Sequence, residues 1–299
     1  MTRPATTVRS VTAVALGALI LGATTAALRE IDVGSTAAGF WRVALALPFL
    51  LAFAAVNARN SSEGLSWPPA SQWRTLTIAG GCFAGDLVFW HLALTHTSLG
   101  NATFLATLCS LWVPITVFAL YRVAPSRSFF VGLIGALAGS GILVSAHLSF
   151  DASTWVGDGY GLITGFFFTG YILAIRRCRE TLSTTDTMLY SSALCAAFLL
   201  PLALAANFVA GEAVIPSSAT GWASVAALGL LAHLLGQGLV AYGTGSLSAS
   251  LAAIILCLEG VGAMVVGGLF YAEPRSWIDA LAVLLIVGGI ALSQNKSNP

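Results

Sequence analysis

Long apolar stretches separated by short polar ones run along almost the whole chain. An α-helix needs about 20 apolar residues to cross the hydrocarbon core of a bilayer, and each stretch is close to that length. The separators, such as "RVAPSRS", hold turn residues and charges. The pattern predicts ten membrane-spanning helices at residues 8–28, 35–57, 70–93, 98–120, 127–146, 157–177, 186–208, 220–242, 246–270 and 276–293. Alternatively, the first stretch is a cleaved signal peptide, which would leave nine helices.

Composition supports the membrane class. Hydrophobic residues make up 57% of the chain and charged residues only 8%, whereas a soluble domain carries about 25% charged residues. Such a chain cannot cover a globular surface with polar groups, so its solvent is a lipid bilayer. The net charge of +1 gives no indication of a nucleic-acid partner. The five cysteines lack the spacing of a zinc site or a disulfide framework, so no metal or other cofactor is predicted.

The basic residues indicate how the chain is oriented, because cytoplasmic loops are enriched in Lys and Arg. With a cytoplasmic N-terminus, ten basic residues fall on the cytoplasmic side and two on the other, and Arg42 lies within the second stretch. The ten are Arg3, Arg9, Arg59, Arg74, Arg122, Arg127, Arg176, Arg177, Arg179 and Lys296, and the two are Arg29 and Arg275. This bias predicts a multi-pass protein of a bacterial-type inner membrane, with both termini in the cytoplasm.

The chain also contains an internal repeat at an offset of 148 residues. At this offset Ser98-Leu99 aligns with Ser246-Leu247, and Leu108-Cys109 aligns with Leu256-Cys257. Each stretch then reaches a Tyr and a Pro just before the next predicted helix, Tyr121 and Pro125 in the first and Tyr271 and Pro274 in the second. Each repeat holds five predicted helices, an odd number, so the second repeat must enter the membrane upside down. The prediction is therefore an all-α membrane protein with ten transmembrane helices as two inverted five-helix repeats, residues 1–148 and 149–299. Inverted repeats are a transporter architecture, with the substrate site near the midplane between the halves.

Three stretches carry a family resemblance: "GFWRVALALPFLLA", "FWHLALTHTSLGNATFLATLCSLWVPITVF" and "SLSASLAAIILCLEGVGAMVVGGLFYAEP". Through them the chain resembles the drug/metabolite transporter (DMT) superfamily, which has two EamA-type halves of five helices. It departs from the family pattern at Gly260, where many relatives have proline, and at Arg122-Val123, which aligns with Ala272-Glu273. The stretch "LWVP" at residues 111–114 is similar to the YddG branch of aromatic amino acid exporters. The resemblance implies a secondary transporter that exports aromatic or large neutral amino acids by alternating access.

Polar side chains inside the predicted helices need a reason, because a charge at mid-bilayer costs about 2.5–3.5 kcal/mol on insertion scales. Such residues usually face the bundle interior or a wet cavity. Asp86 and Trp90 share a helical face, as do His233 and Gln237. Deep aromatic residues suit a cavity for flat apolar side chains. The predicted substrate-binding residues are Asp86, Trp90, His91, Trp112, Phe167, Tyr171, His233, Gln237 and Tyr242. The alternative for the polar members is a hydrogen bond to a neighbouring helix.

Two charged residues, Arg42 and Glu259, are predicted to have gating or structural roles. Arg42 either snorkels, pairs with backbone carbonyls, or binds a substrate carboxylate. Glu259 either bonds to a neighbouring helix across small residues such as Gly260 and Gly262, or lines the pathway. Both match positions in the family pattern, and the resemblance therefore implies a role common to the fold.

Other functions remain as alternatives. A phosphorylated cargo such as a nucleotide sugar would require several inward Lys or Arg residues, and only Arg42 is available; a purine or a drug is a further possible cargo. An intramembrane enzyme is the weakest alternative, because the patterns HExxH and GxSxG are absent. The expected partners are an amino acid-like small molecule and the lipid bilayer, with protons as a possible coupling ion at Asp86, His91 or Glu259.

Glycines at a spacing of four residues predict close helix packing. Gly157, Gly161 and Gly165 form one such row, and Gly135 and Gly139 form another. Small residues at this spacing allow two helix backbones to approach each other in a membrane.

Overall fold

The computed structural model describes residues 4–60, 67–145, 152–272 and 276–294. In this part of the chain every regular element is helical and no strand occurs. Nine helices are long and apolar enough to cross a membrane: Thr7–Leu28, Ser35–Arg59, Ala70–His96, Leu99–Tyr121, Arg127–Val144, Trp155–Cys178, Thr184–Ala210, Ala219–Gly243 and Ala249–Phe270. A tenth apolar helix, Trp277–Ser293, is shorter. These are spans 1 to 10, and the predicted fold class is confirmed.

Several spans change helix type along their length. Span 1 is an α-helix at Pro4–Thr24 followed by a 3-10 helix at Thr25–Glu30. The other divided spans are span 2 (Ser35–Ala44 and Leu47–Asn60), span 4 (Leu99–Thr107 and Cys109–Tyr121), span 8 (Ala219–Ala227, a π-helix at Leu228–Gln237, and Gly238–Gly243) and span 9 (Ala249–Ile255 and Leu258–Phe270). A short 3-10 turn, Ala152–Thr154, precedes span 6. Interruptions of the ordinary α-helix are common at functional sites in membrane helices.

The breaks in spans 4 and 9 occur at the repeated Leu-Cys pairs. At both places a backbone N–H bonds to the carbonyl three residues earlier, which tightens the helix into a 3-10 turn. The Leu108 N–H donates to Leu105 at 3.2 Å and the Cys257 N–H to Ile254 at 3.0 Å. The two repeats are therefore interrupted at matching depths.

The start of these two spans differs from the predicted alignment. Ser98 caps the N-terminus of span 4 through its hydroxyl, and the residue that does the same for span 9 is Ser248 rather than Ser246. The reason is the length of the helix before the break, which is nine residues in span 4 and seven in span 9. The Leu-Cys breaks therefore align between the two repeats, whereas the serines that cap the helices do not.

A contact between two spans recurs when each span is replaced by its counterpart in the other repeat. Span 3 packs along span 6, and its counterpart, span 8, packs along span 1. Span 4 also contacts span 6, and span 9 contacts span 1. Spans 5 and 10, 2 and 7, and 4 and 9 pair with their own counterparts. We call spans 3, 4 and 6 the first bundle, and spans 8, 9 and 1 the second bundle. Each bundle mixes helices of both repeats, so the packing groups are not the two halves of the sequence.

Glycines allow these spans to approach closely, as their spacing predicts. A Cβ atom added to Gly157 would lie 2.5 Å from the backbone of His96, and one added to Gly139 would lie 2.5 Å from the Ala282 carbonyl oxygen. Spans 1 and 9 also approach each other closely, because a Cβ on Gly22 would lie 1.8 Å from the Glu259 carbonyl oxygen. The glycine rows are therefore contact surfaces between helix backbones.

A carboxylate fixes the loop after span 1 to the start of span 8. One oxygen of Asp32 accepts hydrogen bonds from the backbone N–H groups of Ser217 and Ser218 at 3.1 and 2.8 Å, and from the Ser217 hydroxyl at 2.9 Å. These bonds, from Ser218 and Ser217, hold the pKa of Asp32 below its ordinary value. A negative charge at a helix N-terminus also interacts favourably with the helix dipole.

The structure predicts opposite effects for two adjacent glycines of span 10. A Cβ on Gly289 would lie 2.4 Å from the Gly132 carbonyl oxygen of span 5, whereas a Cβ on Gly288 would meet nothing within 4 Å. Gly289→Ala should destabilise the protein by about 1–3 kcal/mol through overpacking. Gly288→Ala should be neutral or slightly stabilising, because alanine favours helix by about 0.5–1 kcal/mol. Thermal unfolding of the detergent-solubilised protein measures both; equal melting temperatures would contradict the prediction.

Asp32→Asn should lower the melting temperature at neutral pH and have no effect in strong acid. The pKa of Asp32 is depressed on folding, so its stabilising effect is fully present above the ordinary pKa of 3.8 and is lost as the pH falls through the lower folded value. Melting temperatures of wild type and variant should therefore differ at neutral pH and converge as the pH falls below the lowered pKa of folded Asp32. Glu30→Gln, at an exposed acid of the same loop, is the control. A difference that persists in acid would contradict the role of the charge.

Candidate functional site

A cavity lies between the two bundles and span 2. Its volume is about 60 Å³, which is room for several water molecules at about 10–15 Å³ for each. The lining residues come from seven spans: Leu21, Thr24, Thr25, Arg42, Asp86, Leu87, Trp90, Thr103, Ala106, Thr107, Cys109, Thr164, Phe168, Leu228, Gln237, Leu256 and Glu259. Both repeats thus contribute to a single central site.

Three ionisable side chains meet at this cavity: Arg42 of span 2, Asp86 of span 3 and Glu259 of span 9. The Arg42 guanidinium interacts electrostatically with both carboxyl groups. Among the described residues, however, no carboxylate oxygen lies within 4 Å of an Arg42 nitrogen. The guanidinium carbon lies 5.8 Å from the centre of the Phe83 ring. The opposite charges therefore share the cavity without closing on each other, which leaves each available to a bound molecule.

Buried polar atoms around the cavity lack protein partners. In the part of the chain that the structure describes, Arg42 Nε, Thr164 Oγ1 and both amide atoms of Gln237 are buried without a hydrogen bond. The Gln237 amide lies beside the Tyr171 hydroxyl but forms no hydrogen bond of good geometry. Because buried polar groups are normally satisfied, such atoms indicate a place for water or a ligand. The cavity is thus equipped with free donors and acceptors.

The two helix breaks border the cavity directly. Thr107 and Cys109 flank the break in span 4, and Leu256 and Glu259 flank the one in span 9. Glu259 therefore stands in the first turn of the second helix of its span. Interrupted helices line the substrate sites of many transporters, because backbone groups released at a break face the cavity.

The apolar part of the wall contains aromatic and aliphatic side chains. Trp90 and Phe168 lie on spans 3 and 6, and leucines of spans 1, 3, 8 and 9 complete the surface. Phe168 stacks on Tyr171 with ring centres 5.7 Å apart, and Tyr171 stacks on Phe83 at 4.6 Å. The cavity therefore combines charged groups with a flat aromatic surface.

Of the predicted substrate-binding residues, Asp86, Trp90 and Gln237 line the cavity, as do Arg42 and Glu259. Tyr171, His91 and His233 are buried but do not line the cavity. The His91 Nδ1–H donates to the Leu87 carbonyl at 2.7 Å, and His233 Nε2 shares a hydrogen bond of 2.8 Å with Ser192. The other ring nitrogen of each histidine is buried without a partner among the described residues.

The remaining three predicted residues lie away from this cavity. Phe167 stacks on Phe89 with ring centres 5.5 Å apart and lies beside Gly85, while its neighbour Phe168 lines the cavity. Trp112 is half-buried and Tyr242 is 46% exposed near the end of span 8. None of these three lines the cavity in the described structure, so their role in binding stays a prediction.

The cavity also uses threonines that sequence analysis did not single out. Thr24 and Thr25 come from span 1, and Thr103 and Thr107 lie four residues apart on span 4. Hydroxyls within apolar spans often bond to their own helix, as Thr24 does to Leu21 at 2.8 Å. That ambiguity conceals them, although the spacing of Thr103 and Thr107 is a signal of a shared face. Among the described residues, no cluster of three or more metal-ligating side chains occurs.

Comparisons with known proteins agree with this architecture. A sequence model of the EamA-like transporter family matches residues 8–145 and 155–294. The chain is 22% identical over 263 residues to GDP-fucose transporter 1 of Dictyostelium discoideum, covering 81% of this chain and 67% of the relative. It is 25% identical over 224 residues to the pseudopaline exporter CntI of Pseudomonas aeruginosa, covering 74% and 75%.

A solved crystal structure has the same fold, with a TM-score of 0.79 and 19% identity, covering 98% of this chain and 99% of that one. The family match includes both repeats and therefore nearly the whole of the described structure. The chain is a multi-pass membrane protein with two EamA repeats, and it belongs to the EamA-like transporter family of the drug/metabolite transporter superfamily.

Proposed function

We propose that this transporter exports aromatic or large neutral amino acids from the cytoplasm by alternating access. The observation that carries the proposal is the joint presence of one guanidinium, two carboxyl groups and an aromatic wall in one central cavity. An amino acid has a carboxylate, an ammonium and a side chain, and each would find a matching surface. Arg42 would bind the carboxylate, Asp86 and Glu259 the ammonium, and Trp90 and Phe168 the side chain.

The charge of the cavity argues against a phosphorylated cargo. With all three groups ionised, Arg42, Asp86 and Glu259 give the site a net charge of −1, which repels phosphate and attracts an ammonium group. The named relatives differ in cargo, since one carries GDP-fucose and the other pseudopaline. Membership of the family therefore leaves the cargo open, and the side chains of the cavity must decide it. Because the chain belongs to a transporter family, transport rather than catalysis is the proposed activity.

Transport would require the bundles to separate, because a volume of about 60 Å³ holds only water molecules. We place the protein in the inner membrane with both termini in the cytoplasm, since Lys and Arg concentrate on that side. A proton is the natural counter-ion: either carboxyl group can hold one when the ammonium has left. The amino acid is a neutral zwitterion, so replacing it by a proton would change the net charge of the cavity from −1 to 0.

The cargo proposal predicts selective transport by purified protein in liposomes. Radiolabelled phenylalanine and tryptophan should cross at least about tenfold faster than glutamate, lysine or a nucleoside diphosphate sugar, which is a difference of about 1.4 kcal/mol. Asp86→Asn should reduce amino acid flux by about tenfold or more through loss of the ammonium partner, and Trp90→Ala should reduce the preference for aromatic over small side chains.

Matched controls separate these effects from damage to the fold. Phe166→Ala removes an aromatic residue that is 66% exposed on span 6, and Glu180→Gln removes an exposed acid at the end of that span; neither should change the flux. Equal transport of aromatic amino acids and nucleotide sugars would contradict the cargo proposal. Unchanged flux in both Asp86→Asn and Trp90→Ala would contradict the assigned site.

Proton exchange predicts that flux responds to a pH gradient. Export should accelerate several-fold when the compartment that receives the amino acid is more acidic than the one that supplies it. Glu259→Gln or Asp86→Asn should abolish this response, because an amide cannot exchange a proton. Flux measured at equal buffering with and without the gradient tests it. A wild-type rate that is the same in both conditions would exclude proton exchange and leave transport driven by the cargo gradient alone.

A further inference from the structure

The cavity lies toward one face of the membrane. We call the face with Asp32, His96 and Gly211 the outer face, and the face with Arg179 and Gly245 the inner face. The cavity residues fall mainly in the outer halves of their spans, as Thr24 does at the outer end of span 1 and Thr103 at the outer end of span 4. The cavity therefore lies closer to the outer face than to the inner face.

Side chains on the inner side of the cavity are buried in both bundles. On span 6, Tyr171, Ile172 and Ile175 follow the cavity residue Phe168, and all three are at most 2% exposed. Val240 and Ala241 on span 8 are at most 1% exposed. Span 6 belongs to the first bundle and span 8 to the second. The spans are thus closely packed on the inner side of the cavity, and this packing must loosen for the cavity to reach the inner face.

Arg179 lies at the inner end of span 6 and joins the two bundles. It follows span 6 directly, and its Nε–H donates to the carbonyl of Ala241 on span 8 at 3.2 Å. Its Nη1 donates to the carbonyl of Leu182 in its own loop. One side chain therefore links the loop after span 6 to the inner end of span 8.

The acceptor is well suited to a cation. Ala241 lies in the last turn of the helix Gly238–Gly243, where carbonyl groups carry the negative end of the helix dipole. Its carbonyl oxygen accepts a second hydrogen bond from the Thr244 hydroxyl at 2.9 Å. Gly245 leaves space for the guanidinium, because a Cβ at that position would lie 2.8 Å from Arg179 Nη2. Both sides of the contact, the arginine and the glycine, are thus fitted to each other.

We propose that Arg179 is the latch of the inner gate: its bond to span 8 holds the two bundles together at the inner face, and its release exposes the cavity to that face. The proposal rests on the alternating-access mechanism proposed above, but it makes no assumption about the cargo. Release removes one charge-assisted hydrogen bond and one cation from a helix end, and the closed state should lose population accordingly.

Cys109 supplies a native reporter, because it lines the cavity and is a free thiol. A small cationic methanethiosulfonate that does not cross membranes is applied to vesicles of each orientation, and labelling of Cys109 is followed by peptide mass spectrometry in the full chain. Arg179→Ala should raise the rate of labelling from the inner face by about tenfold or more and should not raise it from the outer face. Gly245→Ala should raise the inner rate to a smaller extent, because it displaces the guanidinium while keeping its charge.

Arg177→Ala is the matched control. Arg177 lies two residues away, is exposed, and pairs only with Glu180 among the described residues, at 2.5 Å. Its removal changes the charge of the inner face equally and should leave both rates as in wild type. An unchanged inner rate in Arg179→Ala would overturn the proposal, and so would equal increases from both faces, which would indicate general loosening. The assay needs no cargo, so it remains decisive even if the proposed amino acids are not transported.

Discussion

The architecture depends on placing one cation and two acids within helices that are otherwise apolar. Arg42, Asp86 and Glu259 come from three separate spans, and lipid would accept none of them. Their shared cavity solves this problem, because all three side chains line it instead of facing hydrocarbon. The remaining features follow from keeping that cavity in place. Glycine contacts bring the spans together around it, and helix breaks in spans 4 and 9 turn their backbones along its wall.

The interleaved packing explains how a nearly symmetric frame holds an asymmetric site. Spans 1 and 6 each begin a repeat and pack against the opposite one, so each bundle takes two spans from one repeat and one from the other. The Leu-Cys breaks occur at equivalent positions of the two repeats, whereas the charged residues do not. Asp86 lies on span 3 and Glu259 on span 9, and these spans are not counterparts. The repeats therefore provide two similar bundles, and the residues in which the repeats differ provide the charged groups of the cavity.

Sequence analysis predicted the helices well, because length and apolarity are sufficient to identify spans such as Trp155–Cys178. It also predicted that Asp86, Trp90 and Gln237 face inward, since a polar residue in an apolar span has few other options. It was less informative for aromatic residues. Phe167 and Phe168 are equally apolar, and only the rotation of span 6 decides which of them lines the cavity. Threonines such as Thr103 were missed because a hydroxyl can satisfy itself on its own helix.

The position of span 1 in the second bundle has a consequence for biosynthesis. Its contacts with spans 8 and 9 include the backbone approach of Gly22 to Glu259, and those partners belong to the second repeat, which is synthesised after the first. During insertion, span 1 must wait in the membrane with its small-residue face covered by lipid or by the insertion machinery. The native fold can therefore close only after the ribosome has completed span 9, so a chain interrupted after the first repeat would have an unpaired first helix.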